Sequence, residues 1–205
     1  MDLLCLAPDM LGSNCYVLTD HGHAVVVDPS VDAEMIFDCV RKAGCVLDAV
    51  LLTHGHFDHI TSIDLLRRQS GVSVYLHEED TPMLADGNKN AYRTFFGMDR
   101  IYRPAEEHLF DGQILTVGQA NLRVIHTPGH SPGSCCFLNG REGWMITGDT
   151  LFADSYGRCD LWGGSMSEMR RSLQKLRDFD GKLTVYPGHG RSARLSVALD
   201  NAYYL

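Results

Sequence analysis

The sequence predicts an α/β fold layered as an αββα sandwich. Three observations carry that expectation. Short valine- and leucine-rich runs fall into two groups, one on either side of an irregular stretch at residues 78–110. Amphipathic segments with helical spacing accompany each group, and a sheet with one more apolar face than its neighbour sheet covers must bury that face under helices. Residue types that bind metals follow directly after several of the apolar runs, which places them at the carboxyl ends of strands.

Taken in order, residues 14–19 and 24–28 read as a hairpin across Asp20-His21-Gly22-His23, with both histidines facing solvent. Residues 32–43 read as a helix that gathers Met35, Ile36, Cys39, Val40 and Ala43 on one face and is stopped by Gly44. Ala49-Val50-Leu51-Leu52 is a short buried strand, followed by a helix at 60–69 and a strand at 72–76. Within 78–110, Thr81-Pro82 has the form of a helix start. Tyr92, Phe95, Phe96 and Met98 there serve either as a lid over a substrate or as ordinary core. Strands follow at 113–117, 122–125, 135–138 and 144–147. Ser165-x-x-Glu168 has the pattern of a capping box and opens a helix through Leu176 whose apolar face is Met169, Leu173 and Leu176. Residues 192–205 close as a helix. With 205 residues and 44% hydrophobic content, residues 1–205 are expected to form a single domain.

The chemistry concentrates in Thr53-His54-Gly55-His56-Phe57-Asp58-His59. Side chains two apart on extended backbone point the same way, so His54 and His56 can converge on one cation. Asp58 and His59 fall where the chain turns toward a helix and can reach a second. Three later segments repeat a strand followed by a breaker and a ligand-type residue. These are Thr127-Pro128-Gly129-His130, Thr147-Gly148-Asp149 and Tyr186-Pro187-Gly188-His189. Asp149, with two oxygens, can bridge both cations. Imidazole and carboxylate together suit zinc, iron or manganese.

With these motifs in place, the sequence resembles the metallo-β-lactamase superfamily, and within it the glyoxalase II-like (hydroxyacylglutathione hydrolase-like) enzymes. The resemblance spans roughly residues 14–189 and includes Thr127-Pro-Gly-His-Ser-Pro-Gly-Ser134, Gly148-Asp-Thr-Leu-Phe152 and Gly157-Arg-Cys-Asp-Leu161. It implies the metallo-β-lactamase fold and two divalent ions, with zinc the first expectation and iron or manganese also suited. It further implies that His54, His56 and His130 hold one ion, that Asp58, His59 and His189 hold the other, and that Asp149 bridges. Two such ions about 3.5 to 4 Å apart share a water and lower its pKa toward about 7, giving a nucleophile for a carbonyl carbon. Asp58 is then the expected catalytic residue, orienting that nucleophile or carrying its proton. The implied reaction is hydrolysis of a small thioester such as a hydroxyacylglutathione. The alternatives are a mononuclear iron enzyme of the persulfide dioxygenase type and a metal-free binding protein on the same fold. A secreted β-lactamase is disfavoured by the apparent lack of an export signal in residues 1–11.

The sequence departs from the glyoxalase II pattern in three places, one of them Tyr156, where a small residue is usual. Only a short stretch follows His189, where those enzymes continue into a helical glutathione-binding region, and Thr61 and Ser62 stand where two glycines are common. A formal charge of -8 with no basic run argues against a nucleic-acid partner, and no apolar segment approaches the length of a membrane span. The expectation is a cytoplasmic protein acting on a small molecule, its oligomeric state open. Seven cysteines without a Cys-x-x-Cys pair read mainly as small buried hydrophobes in a reducing compartment. Arg158 is expected to pair with Asp154 or Asp160 rather than to bind a substrate carboxylate, and Cys159 to be a packing residue.

Overall fold

Alternation along the strands sorts the apolar side chains into three cores, and those cores define the layers. The computed structural model describes residues 1–6 and 12–203, so the expectations placed on residues 7–11 and 204–205 lie outside it. The first sheet runs in the order β1 (Asp2–Leu6), β2 (Cys15–Asp20), β3 (His23–Val27), β4 (Val46–Leu51), β5 (Ser73–His77) and β6 (Glu107–Leu109). Its first two pairings are antiparallel and the next three parallel. The second sheet runs β12 (Ala193–Arg194), β11 (Thr184–Pro187), β10 (Trp144–Gly148), β9 (Cys135–Asn139), β8 (Ala120–His126) and β7 (Ile114–Val117). There only β10 and β11 are parallel.

On β2, Tyr16 and Leu18 join Val124, Phe137 and Ile146 in a core between the two sheets. Their neighbours Cys15 and Val17 face the other way and pack with Ile36, Val40 and Leu66 of the helices. On the second sheet Ile125, Cys136 and Met145 alternate outward to meet Leu176, Leu195 and Leu199. The period of two thus places each sheet between its partner sheet and a helix layer, which is the αββα sandwich.

The outer helices carry their own signals. In α1 (Ala33–Lys42), Asp32 caps by accepting from Glu34 N at 2.8 Å, and Arg41 and Lys42 lie at the negative end of the helix dipole. Of its expected apolar face only Ile36 and Val40 are buried, with Ala33; Met35 stays half exposed. The second helix, α2 (Ile63–Ser70), begins three residues later than its hydrophobic pattern suggests. Residues 60–62 are tied instead into turns, with Ser62 donating to Val31 O. It ends at Gly71 in the left-handed conformation. After β5 come two short helices, α3 (Thr81–Leu84) and α4 (Tyr92–Phe96). In α5 (Met166–Leu176) half of the capping box forms. Ser165 Oγ accepts from Glu168 N, but the Glu168 carboxylate pairs with Arg171, and Ser165 N donates to Gly129 O. The closing segment is β12 followed by α6 (Leu195–Tyr203). Among the described residues no helix is long and apolar enough to cross a membrane.

Cysteine burial is narrower than the sequence suggests. Cys15, Cys135 and Cys136 are buried, Cys39, Cys45 and Cys159 half-buried, and Cys5 on edge strand β1 exposed.

The turn before His130 depends on one glycine. Gly129 has φ +141°, and a Cβ there would lie 2.5 Å from the backbone N and Cα of Met169. The Gly129→Ala protein should lose about 3 kcal/mol or more of stability, from strain plus a backbone clash that cannot relax without moving α5. Chemical denaturation is the check, and a loss below about 1 kcal/mol would mean that α5 is not seated firmly on this turn.

Candidate metal centre

Every ligand-type residue picked out in the sequence is delivered by a loop at the carboxyl end of a strand. His54, His56, Asp58 and His59 follow β4, His130 follows β8, Asp149 follows β10 and His189 follows β11. The structure brings all seven to one cleft. His54, His56 and His130 form one set whose nitrogens lie within 4.8 Å of one another, and Asp58, His59 and His189 form a second. Asp149 stands between the sets. Its Oδ1 is 3.4 Å from His59 Nε2, and its Oδ2 is 3.5 Å from both His130 Nε2 and His189 Nε2. Asp58 Oδ2 lies 3.3 Å from His189 Nε2 and 3.8 Å from His59 Nε2.

Three of the imidazoles are fixed in one tautomer by what holds the other nitrogen. His130 Nδ1 donates to Arg158 O at 2.8 Å, so its Nε2 carries a lone pair. Asp28, fully buried, accepts from Thr53 N at 2.8 Å, from Thr53 Oγ1 at 2.6 Å and from His59 Nδ1 at 2.9 Å. Because the Thr53 hydroxyl gives its proton to Asp28, it accepts from His54 Nδ1 at 3.0 Å. His54 and His59 therefore also turn Nε2 inward. This arrangement is the one metal-binding histidines use.

The donor atoms fit divalent ions. Buried polar atoms are almost always hydrogen-bonded, yet His54 Nε2, His56 Nε2, His59 Nε2 and Asp149 Oδ1 make no hydrogen bond. His56 Nδ1 and His130 Nε2 face each other at 2.8 Å, which needs a proton or a cation between them. Backbone approaches closely from below: a Cβ on Gly188 would be inside contact distance of Asp149 Oδ1 and 2.8 Å from His59 Cε1. No side chain larger than hydrogen fits there.

The electrostatics follow from this crowding. Burial, with the neighbouring imidazoles, holds His54 well below the usual histidine range, and burial lowers His56 and His130 too. Burial opposes the charged form of His59 as well, but Asp58, Asp149 and Asp28 outweigh it and raise its pKa to about 10. His189 is raised despite burial by its hydrogen bond to Asp58 and by Asp149. Asp58 is lowered because His59 and His189 overcome its burial. The site balances imidazole against carboxylate, as a cation-binding cleft must.

Two positioning groups carried no signal in the sequence. Asp28 ends the β3 run and looks like an ordinary strand-end aspartate. Asp80 lies in an acidic run, Glu78-Glu79-Asp80, which reads as a solvated face. It is instead fully buried and clamps two ligand loops, accepting from Gly55 N at 3.1 Å, Ser131 Oγ at 2.7 Å and Gly133 N at 2.6 Å. Burial raises its pKa to about 6 against these three hydrogen bonds.

Around the cleft, Arg158 forks onto Asp160 with bonds of 2.6 and 2.8 Å, and Asp154 pairs with Arg191 instead. The Cys159 thiol is raised by burial and then by Asp160, so it stays protonated. Tyr156 packs on the outer core of the second sheet. His77, Glu79 and His126 form a separate cluster, but the two rings stack 4.0 Å apart at 9° and His126 Nε2 is engaged by Pro132 O at 2.8 Å. Parallel rings send their lone pairs along parallel lines.

The model of the metallo-beta-lactamase superfamily matches residues 8–189. The chain belongs to that superfamily. A Bacillus subtilis (strain 168) protein described as a probable metallo-hydrolase, YqgX, is 34% identical over 94% of this chain and 92% of its own length. Among solved structures, the B3 metallo-beta-lactamase BLEG-1 is 32% identical, covers 99% of both chains and has a TM-score of 0.92. TTHA1623, solved in a di-iron-bound form, is 30% identical over the whole of both chains with a TM-score of 0.85.

Two outcomes test the positioning groups. Asp28→Ala frees the His59 ring and should weaken metal affinity about 10- to 100-fold, measured by competition with a chromogenic chelator; unchanged affinity would show that His59 needs no orienting partner. For Asp80 the folded state raises the pKa from about 3.9 to about 6, so the protonated form is favoured by folding. The stabilising contribution is complete below about pH 4 and is lost as pH rises through about 6. The stability of the wild type minus that of Asp80→Asn should fall by on the order of 2 to 3 kcal/mol over that window. Denaturation of both metal-free proteins reads this, and a flat difference would place the carboxyl in the usual range.

Proposed function

We propose that the chain is a binuclear metal-dependent hydrolase acting on small thioesters, with hydroxyacylglutathiones as the reference members of that class. The observation that carries the reading is the set of buried donors without hydrogen bonds on both sides of Asp149. His54, His56 and His130 would hold one divalent ion, Asp58, His59 and His189 the other, and Asp149 would contact both. Zinc is the first choice, with iron or manganese equally compatible with a mixed imidazole and carboxylate set. When bound, such a pair supplies a water acidified toward neutrality and Lewis-acid stabilisation of a developing oxyanion.

The chain's own groups do the rest. Asp58 faces the open cleft beside His56, His130 and His189, where its carboxylate can orient the nucleophile or carry its proton at Oδ2. Thr53, Asp28 and the Arg158 carbonyl keep three imidazoles in register. Phe57, Phe96 and Phe152 line the approach and exclude water from the reacting carbonyl. No nucleophilic serine or cysteine is needed. The partner is a small molecule, with neither nucleic acid nor membrane involved, and the cytoplasm suits the unpaired cysteines.

β-Lactam hydrolysis is a second reading, favoured by the close structural likeness to BLEG-1. A β-lactam carboxylate would have only Arg158 on the cleft wall to meet it, and that side chain is already forked onto Asp160. A panel of thioesters and nitrocefin, with metal analysis of the same preparation, separates the readings. Thioester cleavage that is lost with chelation and restored by two ions per chain is the expected result. Nitrocefin as the only substrate would replace the first reading with the second, and full activity after complete metal removal would reject both. Asp58→Ala should lower kcat at least 1,000-fold with an unchanged circular dichroism spectrum; retained activity would remove Asp58 from the mechanism.

A further inference from the structure

The cleft above the donor set is a cavity of about 580 Å³ whose walls differ sharply from its floor. The floor carries His56, Asp58, His130, Asp149 and His189. The walls are Phe57, Ala91, Phe95, Phe96, Phe152 and Leu161, with Arg158 the one polar side chain among them. Phe57 is the hinge of an aromatic cluster. Its ring is 5.5 Å from Phe95 and 5.4 Å from Phe96, and Tyr92 packs behind Phe96 at 4.6 Å with the rings tilted by 34°.

Phe95 and Phe96 are each 54% exposed, although they lie on a short helix next to a cavity that could have covered them. That helix, α4, is flanked by two residues in the left-handed conformation, Ala91 at φ +67° and Gly97 at φ +70°. Alanine rarely adopts that conformation, and Ala91 is buried, so the surroundings hold this strained turn and aim the phenyl rings at the cleft. Rings presented in this way give an apolar surface that a bound molecule can cover.

From this wall we infer that the enzyme selects thioesters whose acyl group is a medium-length or aryl apolar chain, seated against Phe57, Phe95, Phe96 and Phe152. The inference rests on the hydrolase reading and narrows its substrate class. Arg158 is the one side chain on the wall that could meet a 2-hydroxyl or the two carboxylates of a glutathione carrier, and its Nε and Nη2 already bond Asp160. A polar group placed against such a wall loses its water without replacement. An apolar chain placed there leaves water and gains about fourfold in affinity per fully buried methylene.

The test uses the metal-reconstituted protein and S-acyl-N-acetylcysteamines carrying acetyl, butanoyl, hexanoyl, phenylacetyl and lactoyl groups, with lactoylglutathione alongside. kcat/KM should rise at least tenfold from acetyl to hexanoyl, and both lactoyl compounds should fall below butanoyl. Phe96→Ala and Phe95→Ala should each reduce the hexanoyl-to-acetyl ratio at least threefold. A flat chain-length series, or lactoylglutathione as the preferred substrate, overturns the inference while leaving the hydrolase reading intact. If none of the thioesters is cleaved, the thioesterase reading fails, and calorimetry with acetate, butanoate and hexanoate still decides the pocket. Affinity that rises at least tenfold across those acids supports the apolar acyl site; equal affinities reject it.

Discussion

Buried imidazoles converge on a cation when one ring nitrogen is tied to the protein and the other is turned inward, and three of the five in this cleft, His54, His59 and His130, are held that way. That division of labour is the constraint from which the rest of the structure follows. Asp28 and Thr53 provide it for His54 and His59, and the Arg158 carbonyl provides it for His130. Without those partners each ring could flip or protonate, and the donors would cease to converge. The cleft would then be a set of mutually repelling buried histidines, which desolvation alone would drive apart or neutralise.

The sandwich exists to meet this demand. Both sheets end their ligand-bearing strands at the same edge, and hydrogen bonds cross from one half to the other at that edge. Asn14 Nδ2 and Tyr16 Oη, from the first sheet, donate to Pro187 O beside His189. Cys135 N, from the second, donates to Thr53 O beside His54. Asp80 reaches from behind β5 to the loops of both His56 and His130. Positions far apart in sequence are therefore fixed by short bonds between rigid strand ends, so the loops themselves need little regular structure.

Much of this was legible in the sequence because its signals are periodic or chemically unusual. Short apolar runs marked β2, β3, β8, β9 and β10, and the dense His-x-His-x-Asp-His run, with its strand-end echoes, marked the cleft. What escaped had no local signature. β1, β6 and β12 are short edge strands held by pairing with a neighbour, so their own residues show little alternation. The start of α2 was misread because Ile60 is buried in a turn and not on a helix face. Asp28 and Asp80 are ordinary in sequence, and only the packing that buries them makes them orienting groups. The segment at 78–110 was balanced between lid and core, and its phenyl rings prove to line the cleft while remaining half exposed.

Anomalous diffraction from crystals of the metal-loaded protein tests the central claim most directly. The account predicts two peaks in the cleft, one contacted by His54, His56 and His130, the other by Asp58, His59 and His189, with Asp149 touching both. A cleft without any peak, or with the three His Nε2 atoms turned toward protein acceptors, would contradict it.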